Sequence, residues 1–525
     1  MVTSSSEVYH RLLSQNLSPE ALGKAKFLHG DMGGIYPHTL KTNGFVYKIA
    51  VLSLKVVDSV KTTQALFKKY GFQFPRKIWN WEEAPTPSEE KAIGLIFGNL
   101  SGRHPLKGKY IIETADFGCG TCHAGPLYGN DGMPTDLFVL GTPNTSINLQ
   151  AYAKDLFEGY QIIIDWSENK FEKEILELYP TLGKEELTGL KMIFKRLKRE
   201  VKKIVATRGT VSTYKIGGAG TMNGVGAIKN GLDMLDQSTY HHNEVSVVSI
   251  PSFANRSFRS SFLVCGNYAP KGNMFFHEIT SHDTTDRHDQ EMATIIALFT
   301  IGTMGYNAEL ASESIPDVKN VMKFISKFEP PSFPGEVDLG KAELGRFIFE
   351  KNCQSCHGKY EASSGKNRLV SFPNQFVPLA AIHTDSVRAV AITAENLQML
   401  SKMELKKYFE AKVNKGYVAP ILSGAWATAP YLHNGSVPTL WHLMHPEHRP
   451  EKFYVGGHAL DFEKVGVMGE LKNGVYQYPE GYVSWAAVEI YDTQQAGMSN
   501  AGHLDPFRRL SEKEKDSLLE FIKTL

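Results

Sequence analysis

Apolar residues recur at helical spacing over three stretches. KEELTGLKMIFKRLKREVKKIV (184–205), DRHDQEMATIIALFTIG (286–302) and GKAELGRFIFEKN (340–352) each keep apolar side chains on one side of a 3.6-residue turn. In the first, Met192, Phe194, Leu197 and Val201 form the apolar side and lysines and arginines the other. We read the basic side as a solvated face, with a docking patch for an acidic redox partner as the alternative. At the C-terminus Ser511 and Glu514 have the spacing of a capping box, and Leu518, Leu519, Ile522 and Leu525 follow on one side. Alternating strand patterns are few. The prolines of FEPPSFPGEVDLG (328–340) forbid regular helix and mark the clearest boundary. The pattern predicts a mainly α fold with long irregular loops.

A weak internal repeat supports more than one unit. PSFANRSFRSSFLVCGN (251–267) aligns without gaps with PILSGAWATAPYLHNGS (420–436), pairing Pro251 with Pro420, Phe262 with Tyr431, Leu263 with Leu432 and Gly266 with Gly435. A chain of 525 residues with 42% apolar composition has room for two or more domains. With 22% charged residues and a net charge of +1, nothing points to nucleic acid or a membrane surface as partner. The longest uncharged apolar stretch, ATIIALFTIGTM (293–304), is too short to span a bilayer. The opening MVTSSSEVYHRLLSQ has no apolar run of the signal-peptide kind.

Four of the five cysteines fall in one local pattern, used twice. FGCGTCHAG places Cys119, Cys122 and His123 as C-x-x-C-H, and KNCQSCHGK repeats it at Cys353, Cys356 and His357. In a c-type haem site two thiols one helical turn apart bond the porphyrin vinyl groups, and the next residue, histidine, ligates the iron. Two other readings compete. A Cys₄ zinc site would leave both histidines unexplained, and a thioredoxin-like CxxC needs a βαβ pattern that is absent here. Cys265, in SFLVCGNY, reads as a buried small hydrophobe. Two covalently bound haems c are therefore expected, each followed by one copy of the repeated loop.

The surrounding residues point to a family. LGKAELGRFIFEKNCQSCHG resembles the N-terminal helix and haem motif of a cytochrome c domain, and LSEKEKDSLLEFIKTL (510–525) its C-terminal helix. Leu344, Phe347 and Ile348 are expected to meet Leu518, Phe521 and Ile522. LSGAWATAPYLHNGSVPTLWHLM (422–444) resembles the loop after the haem in bacterial di-haem cytochrome c peroxidases. RPEKFYVGGHALDFEKVGVM (449–468) and GMSNAGH (497–503) are closer to the di-haem rubber oxygenase-like branch of that superfamily. The resemblance covers 331–525 most fully, 105–130 and 214–267 less so, and 1–100 weakly. It implies an N-terminal helical extension (1–100) and two cytochrome c-like haem domains (101–327 and 328–525). It also implies electron exchange between the haems, with peroxide or dioxygen reacting at one of them. A calcium ion between the domains occurs in the peroxidases, without ligands that can be named here.

An iron with two strong protein ligands relays electrons; one with a free side binds oxygen or peroxide. On the second haem the resemblance favours His503 as the further ligand, with Met498, Met399 and Met403 as alternatives. For the first, His241, His242, His277, His282 and His288 lie in the relevant stretch without a clear choice. Phe253, Phe258 and Phe262 are candidates for an apolar pocket around bound dioxygen. The glycines of YKIGGAGTMNGVGAIKNG (214–231) are expected to approach the first porphyrin, and Arg256, Arg259 and Arg388 to neutralise haem carboxylates. Trp426 and Trp441 flank the second loop, and His433 has a structural hydrogen-bonding role there.

Three functions compete. The resemblance leans to an oxygenase using dioxygen on an apolar substrate. A peroxidase reducing hydrogen peroxide with electrons from a small redox protein stands close behind, and a carrier with both irons six-coordinate comes last. Haem c assembly predicts a periplasmic or secreted location, against the plain opening sequence.

Overall fold

The computed structural model describes residues 11–12, 14–30, 44–60, 62–85, 87–207, 214–231, 244–301, 308–363, 366–401 and 407–525. Helix takes 39% of the described residues and strand 20%. The fold is therefore mixed α/β, with more strand than the mainly α expectation allowed.

The main helices are α1 (Pro19–His29), α2 (Tyr47–Val57), α3 (Leu149–Ile163), α4 (Glu168–Leu178), α5 (Lys184–Thr207), α6 (Asp286–Ile296), α7 (Ile315–Ile325), α8 (Leu339–Asn352) and α9 (Glu512–Lys523). Their starts are written in the sequence. Ser18, Asn148, Ser167, Thr285 and Asp338 each accept a first-turn backbone N–H, and Ser511 with Glu514 closes the expected capping box on α9. The proline-rich stretch is irregular between α7 and α8.

The strands lie in small sheets. The long hairpin β1 (Leu95–His104) and β2 (Gly108–Phe117) pairs from Leu95 with Phe117 to His104 with Gly108, and the short strand Phe45–Val46 joins its β2 edge. β1 runs through the boundary expected at 100/101. Next come β3 (Ala124–Tyr128) with β4 (Pro134–Leu140), and β5 (Lys359–Ser363) with β6 (Lys366–Phe372). A four-stranded sheet late in the chain holds β7 (Lys452–Val455) beside β8 (Glu489–Asp492). These strands escaped notice because most do not alternate cleanly; β1 begins with four buried residues in a row.

Glycines set the closest approaches. On α3 a Cβ at Gly159 would stand 2.0 Å from the Ser53 carbonyl oxygen of α2, and at Gly189 of α5 it would stand 2.4 Å from that of Ile111 on β2. α4 docks on α5 through Phe171 and Phe194, stacked at 4.1 Å. The basic side of α5 faces solvent at Lys195, Arg196 and Arg199. One apolar core joins distant parts of the sequence: Tyr128, Ala219 and Phe258 pack with Trp426, Tyr431, Val455, Leu460 and Phe521. Among the described residues no helix is long and apolar enough to cross a membrane.

α8 and α9 pack together, but not on the face expected. Leu344 and Phe347 are 59% and 55% exposed, and the buried side of α8 is Ala342, Gly345 and Phe349, with Ile348 partly covered. Phe349 meets Phe521 at 5.1 Å between ring centroids, and a Cβ at Gly345 would stand 1.9 Å from the Ser517 carbonyl oxygen.

Candidate haem-binding sites

Both CxxCH motifs form a single helical turn, Cys119–Cys122 and Gln354–His357. In each, the histidine N–H returns to the motif's own cysteine: His123 N to the Cys119 carbonyl oxygen and His357 N to that of Cys353, both at 2.9 Å. Each imidazole is then fixed by a proline carbonyl. His123 Nδ1 donates to Pro251 at 3.1 Å and His357 Nδ1 to Pro420 at 2.8 Å. A histidine whose Nδ1–H is so committed presents the Nε2 lone pair, the form that binds metal. Burial keeps both rings neutral, pushing His123 down to about 3 and lowering His357.

The repeated loop has one backbone shape in both copies. Asn255 and Gly424 are left-handed, the short 3₁₀ turns Arg256–Phe258 and Ala425–Ala427 follow, and Leu263 and Leu432 are left-handed again, at φ 67° and 65°. Leucine enters that region only where its surroundings hold it there. Gly266 N bonds the Leu263 carbonyl and Gly435 N that of Leu432, while Phe262 bridges Tyr268 and Tyr431 bridges Val437. The sequence repeat is thus a repeated device, and its first residue carries the carbonyl that aims each imidazole.

Beyond this frame the two sites differ. His503 faces His357, ring centroids 6.1 Å apart. A metal between two imidazole nitrogens at about 2 Å each sets ring centres roughly 6–6.5 Å apart. His503 Nδ1 is buried without a partner, its backbone N donates to the Ile382 carbonyl, and burial followed by the charge of His357 pushes it down to about 4. The alternative Met498 is engaged elsewhere, its sulfur taking the Lys215 ammonium at 2.9 Å. Met403 lies outside the described residues, as does the side chain of Met399. Arg449, which sequence reasoning missed, donates to the carbonyls of His442, Leu443, Asn500 and Gly502 and so pins the His503 loop.

Beside His123 the neighbouring ring is Phe253, stacked at 4.1 Å. Among the described residues no imidazole pairs with it as His503 does with His357. His241 and His242 lie outside the described residues. His282 is exposed, His277 Nδ1 bonds the Met274 carbonyl, and His288 opens α6 with its Nε2 buried and unpartnered. Of the three phenylalanines expected to share a pocket, Phe253 and Phe262 pack against one apolar cluster and Phe258 lies in another. Phe253 lies against His123, Phe258 is in the core with Tyr128 and Trp426, and Phe262 meets Phe299 at 5.7 Å. The glycine-rich loop makes close protein contacts. Gly218 approaches Glu489 and Gly220 the Thr145 backbone, so their openness serves protein contacts. His433 does make its structural bond, to the Tyr417 hydroxyl at 2.9 Å. Trp426 is buried against Phe333, and Trp441 stacks on His445.

The residues fit a thioether-bound porphyrin better than the competing readings. Burial pushes the Cys119 thiol up to about 11 and those of Cys122 and Cys353 to about 12, opposite to a redox-active CxxC thiolate. Among the described residues no three His, Cys, Asp or Glu side chains converge on a metal position. This removes support for the Cys₄ zinc reading.

Comparison with known proteins matches one segment to a family. Residues 416–454 match the family described as RoxA-like, cytochrome c-like. Protein y4iM of Sinorhizobium fredii (strain NBRC 101917 / NGR234) is 30% identical over 201 residues, 35% of this chain and 45% of that protein. Protein y4iJ of the same strain is 26% identical over 263 residues, 37% of this chain and 41% of that protein. Both are described as uncharacterized, and the matches span less than half of either. The matched segment holds Pro420 and the second loop, so this chain contains a cytochrome c-like segment, and such a segment implies haem c.

Proposed function

We propose that the chain is a di-haem c-type cytochrome oxidoreductase, with the site at Cys119, Cys122 and His123 reactive and that at Cys353, Cys356, His357 and His503 relaying electrons. The asymmetry of the two imidazoles carries this reading. His357 has a facing histidine at metal-bridging distance, and among the described residues His123 has none. The haems, when bound, would supply the one-electron and dioxygen or peroxide chemistry. The protein's part is positional. Pro251 and Pro420 orient the two ligands through their carbonyls, Phe253 shields the His123 ring, and Arg449 holds the His503 loop.

The resemblance of 449–468 and 497–503 to the rubber oxygenase-like branch favours oxygenation of an apolar substrate over peroxide reduction. A small redox protein is the proposed electron source, and an extracytoplasmic location follows from haem c assembly. Visible spectroscopy of the matured protein tests the assignment. A stable oxy-haem spectrum with turnover of an apolar polyene under dioxygen is expected. Rapid oxidation of a reduced donor by hydrogen peroxide would make it a peroxidase. Silence in both assays would leave an electron carrier.

A further inference from the structure

The hairpin of β1 and β2 and the helix α5 leave one apolar core in the same direction. Lys48 Nζ holds Glu113 of β2 at 2.8 Å and Glu186 of α5 at 2.5 Å, and Gly189 of α5 rests on the Ile111 carbonyl. Rising numbers on α5 therefore run beside falling numbers on β2, toward the hairpin turn. The core they share takes in Leu100 and Tyr110 of the hairpin and Leu197 of α5. Past these residues the turn projects about 13 Å at roughly 3.3 Å per residue, and the helix about 15 Å at roughly 1.5 Å per residue. Both ends are cationic. Arg103, Lys107 and Lys109 are exposed on the hairpin, and Arg196, Lys202 and Lys203 on the helix. Residues 101–110 hold no acid, and 196–207 hold only Glu200, which pairs with Arg199 at 3.0 Å. Among the described residues no ion pair holds any of the six cations. Arg103 is the direct cross-strand partner of Lys109, a like-charge pair that weakens the hairpin end. Among these charges Leu106 is 92% exposed at the turn, and Val205 is 42% exposed near the helix end.

A solvated face accounts for charges on α5. It gives no reason for a like-charge pair beside a turn with an exposed leucine at its apex. The overall charge of +1 conceals this end, because it averages over the whole chain. An anionic lipid surface complements both features. Its headgroups attract lysine and arginine, roughly fivefold in affinity for each, and its boundary with the hydrocarbon accepts an apolar side chain. An acidic protein would meet the cations but has no need of a protruding leucine. We propose that the hairpin turn and the C-terminal half of α5 form a docking face for an anionic phospholipid surface. Leu106 enters the headgroup layer, and the six cations lie against the headgroups. The proposal does not depend on the haem chemistry above.

The test is co-sedimentation of the full chain, purified from a host that matures c-type cytochromes, with two kinds of vesicle. One is phosphatidylcholine alone; the other is equal parts phosphatidylcholine and phosphatidylglycerol. Wild-type protein should bind only the second kind, and added salt should release it. K202Q with K203Q should weaken binding roughly thirtyfold, at about fivefold per charge, and K202R with K203R should stay near wild type. L106S should weaken it roughly tenfold. Circular dichroism of each variant should match wild type, since the substituted positions are exposed. Wild-type protein that ignores the phosphatidylglycerol vesicles would overturn the proposal. Soluble polyglutamate that displaces the vesicles, together with binding unchanged in L106S, would give the face to an acidic protein instead. Release by glycerol phosphate would give it to a small phosphate ligand. If K202Q with K203Q fails to fold, R103Q with K109Q provides the same reading from the hairpin. A comparable loss is expected there, and undiminished binding contradicts the docking face.

Discussion

His503 occupies left-handed backbone, at φ 51°, which a non-glycine residue adopts at a cost of about 1–3 kcal/mol. Something must hold it, and two devices do. Gly502 lies so close to Thr384 that a Cβ would stand 2.3 Å from its backbone nitrogen, and Arg449 gathers four carbonyls around the loop. R449M should cost about 2–3 kcal/mol in urea unfolding, because charged hydrogen bonds are lost while the carbonyls stay partly buried. Low-temperature EPR should then show part of the second haem turning high-spin. H503A should convert that haem fully and leave the first unchanged; an unaltered spectrum would remove His503 from the site. The two CxxCH turns were legible because their spacing is itself a local pattern. Arg449 was not, since its acceptors are backbone carbonyls from 442–443 and 500–502, and no side-chain pattern announces them. Phe253 was expected to line an apolar pocket, and only the folded chain reveals that it stacks on His123.

Helix α8 shows why an element can be recognised and its face misjudged. Leu339, Leu344 and Phe347 are large, apolar and exposed, while the residues that face α9 include the small Ala342 and Gly345. Helices that cross closely need small residues at the contact, so hydrophobicity alone picks the wrong side. G345A should destabilise the protein by about 1–3 kcal/mol through overpacking on Ser517, whereas L344A should stay within about 0.5 kcal/mol. Thermal unfolding of the pair separates the two faces, and equal losses would restore the expected one. The hairpin offers a pH-dependent case. Glu113 on β2 holds Lys48 of α2 at 2.8 Å and also Lys91. Burial alone would raise its carboxyl, but Lys91 and Lys48 outweigh this and hold it below the ordinary range. A carboxylate with a depressed folded-state value stabilises fully above the unfolded-state range and loses that contribution as pH falls through the depressed value. E113Q should therefore cost about 2 kcal/mol at pH 7 and progressively less on acidification, read as urea midpoints at stepped pH. A deficit that stays constant into acid would mean that the ion pairs are not its source.

At the scale of the whole molecule, the two copies of the loop are joined as well as alike. Asn255 Nδ2 donates to Ser423 Oγ at 2.6 Å, and Ser249 N, just before the first copy, to the His433 carbonyl at 2.8 Å. Glu489 on β8 reaches back across the sequence. Its Oε1 accepts from Ala219 N at 2.6 Å and its Oε2 from Asn148 Nδ2 at 2.8 Å. The repeat itself could be read from the sequence, but this joint could not, because it is built from single polar residues hundreds of positions apart. Beneath it lies the apolar core that combines Tyr128, Ala219 and Phe258 with Trp426, Tyr431 and Val455. A shared core of this kind makes the halves unfold together, even if each carries its own haem. Glutamine at 489 can accept at only one of the two positions and sets a donor against a donor at the other. E489Q should therefore lower stability by about 1–3 kcal/mol. The loss should appear as one common shift, with coincident urea transitions followed by tryptophan fluorescence and by absorbance at each haem. Transitions that separate in the variant would mean that Glu489, rather than the core, makes the two halves cooperative.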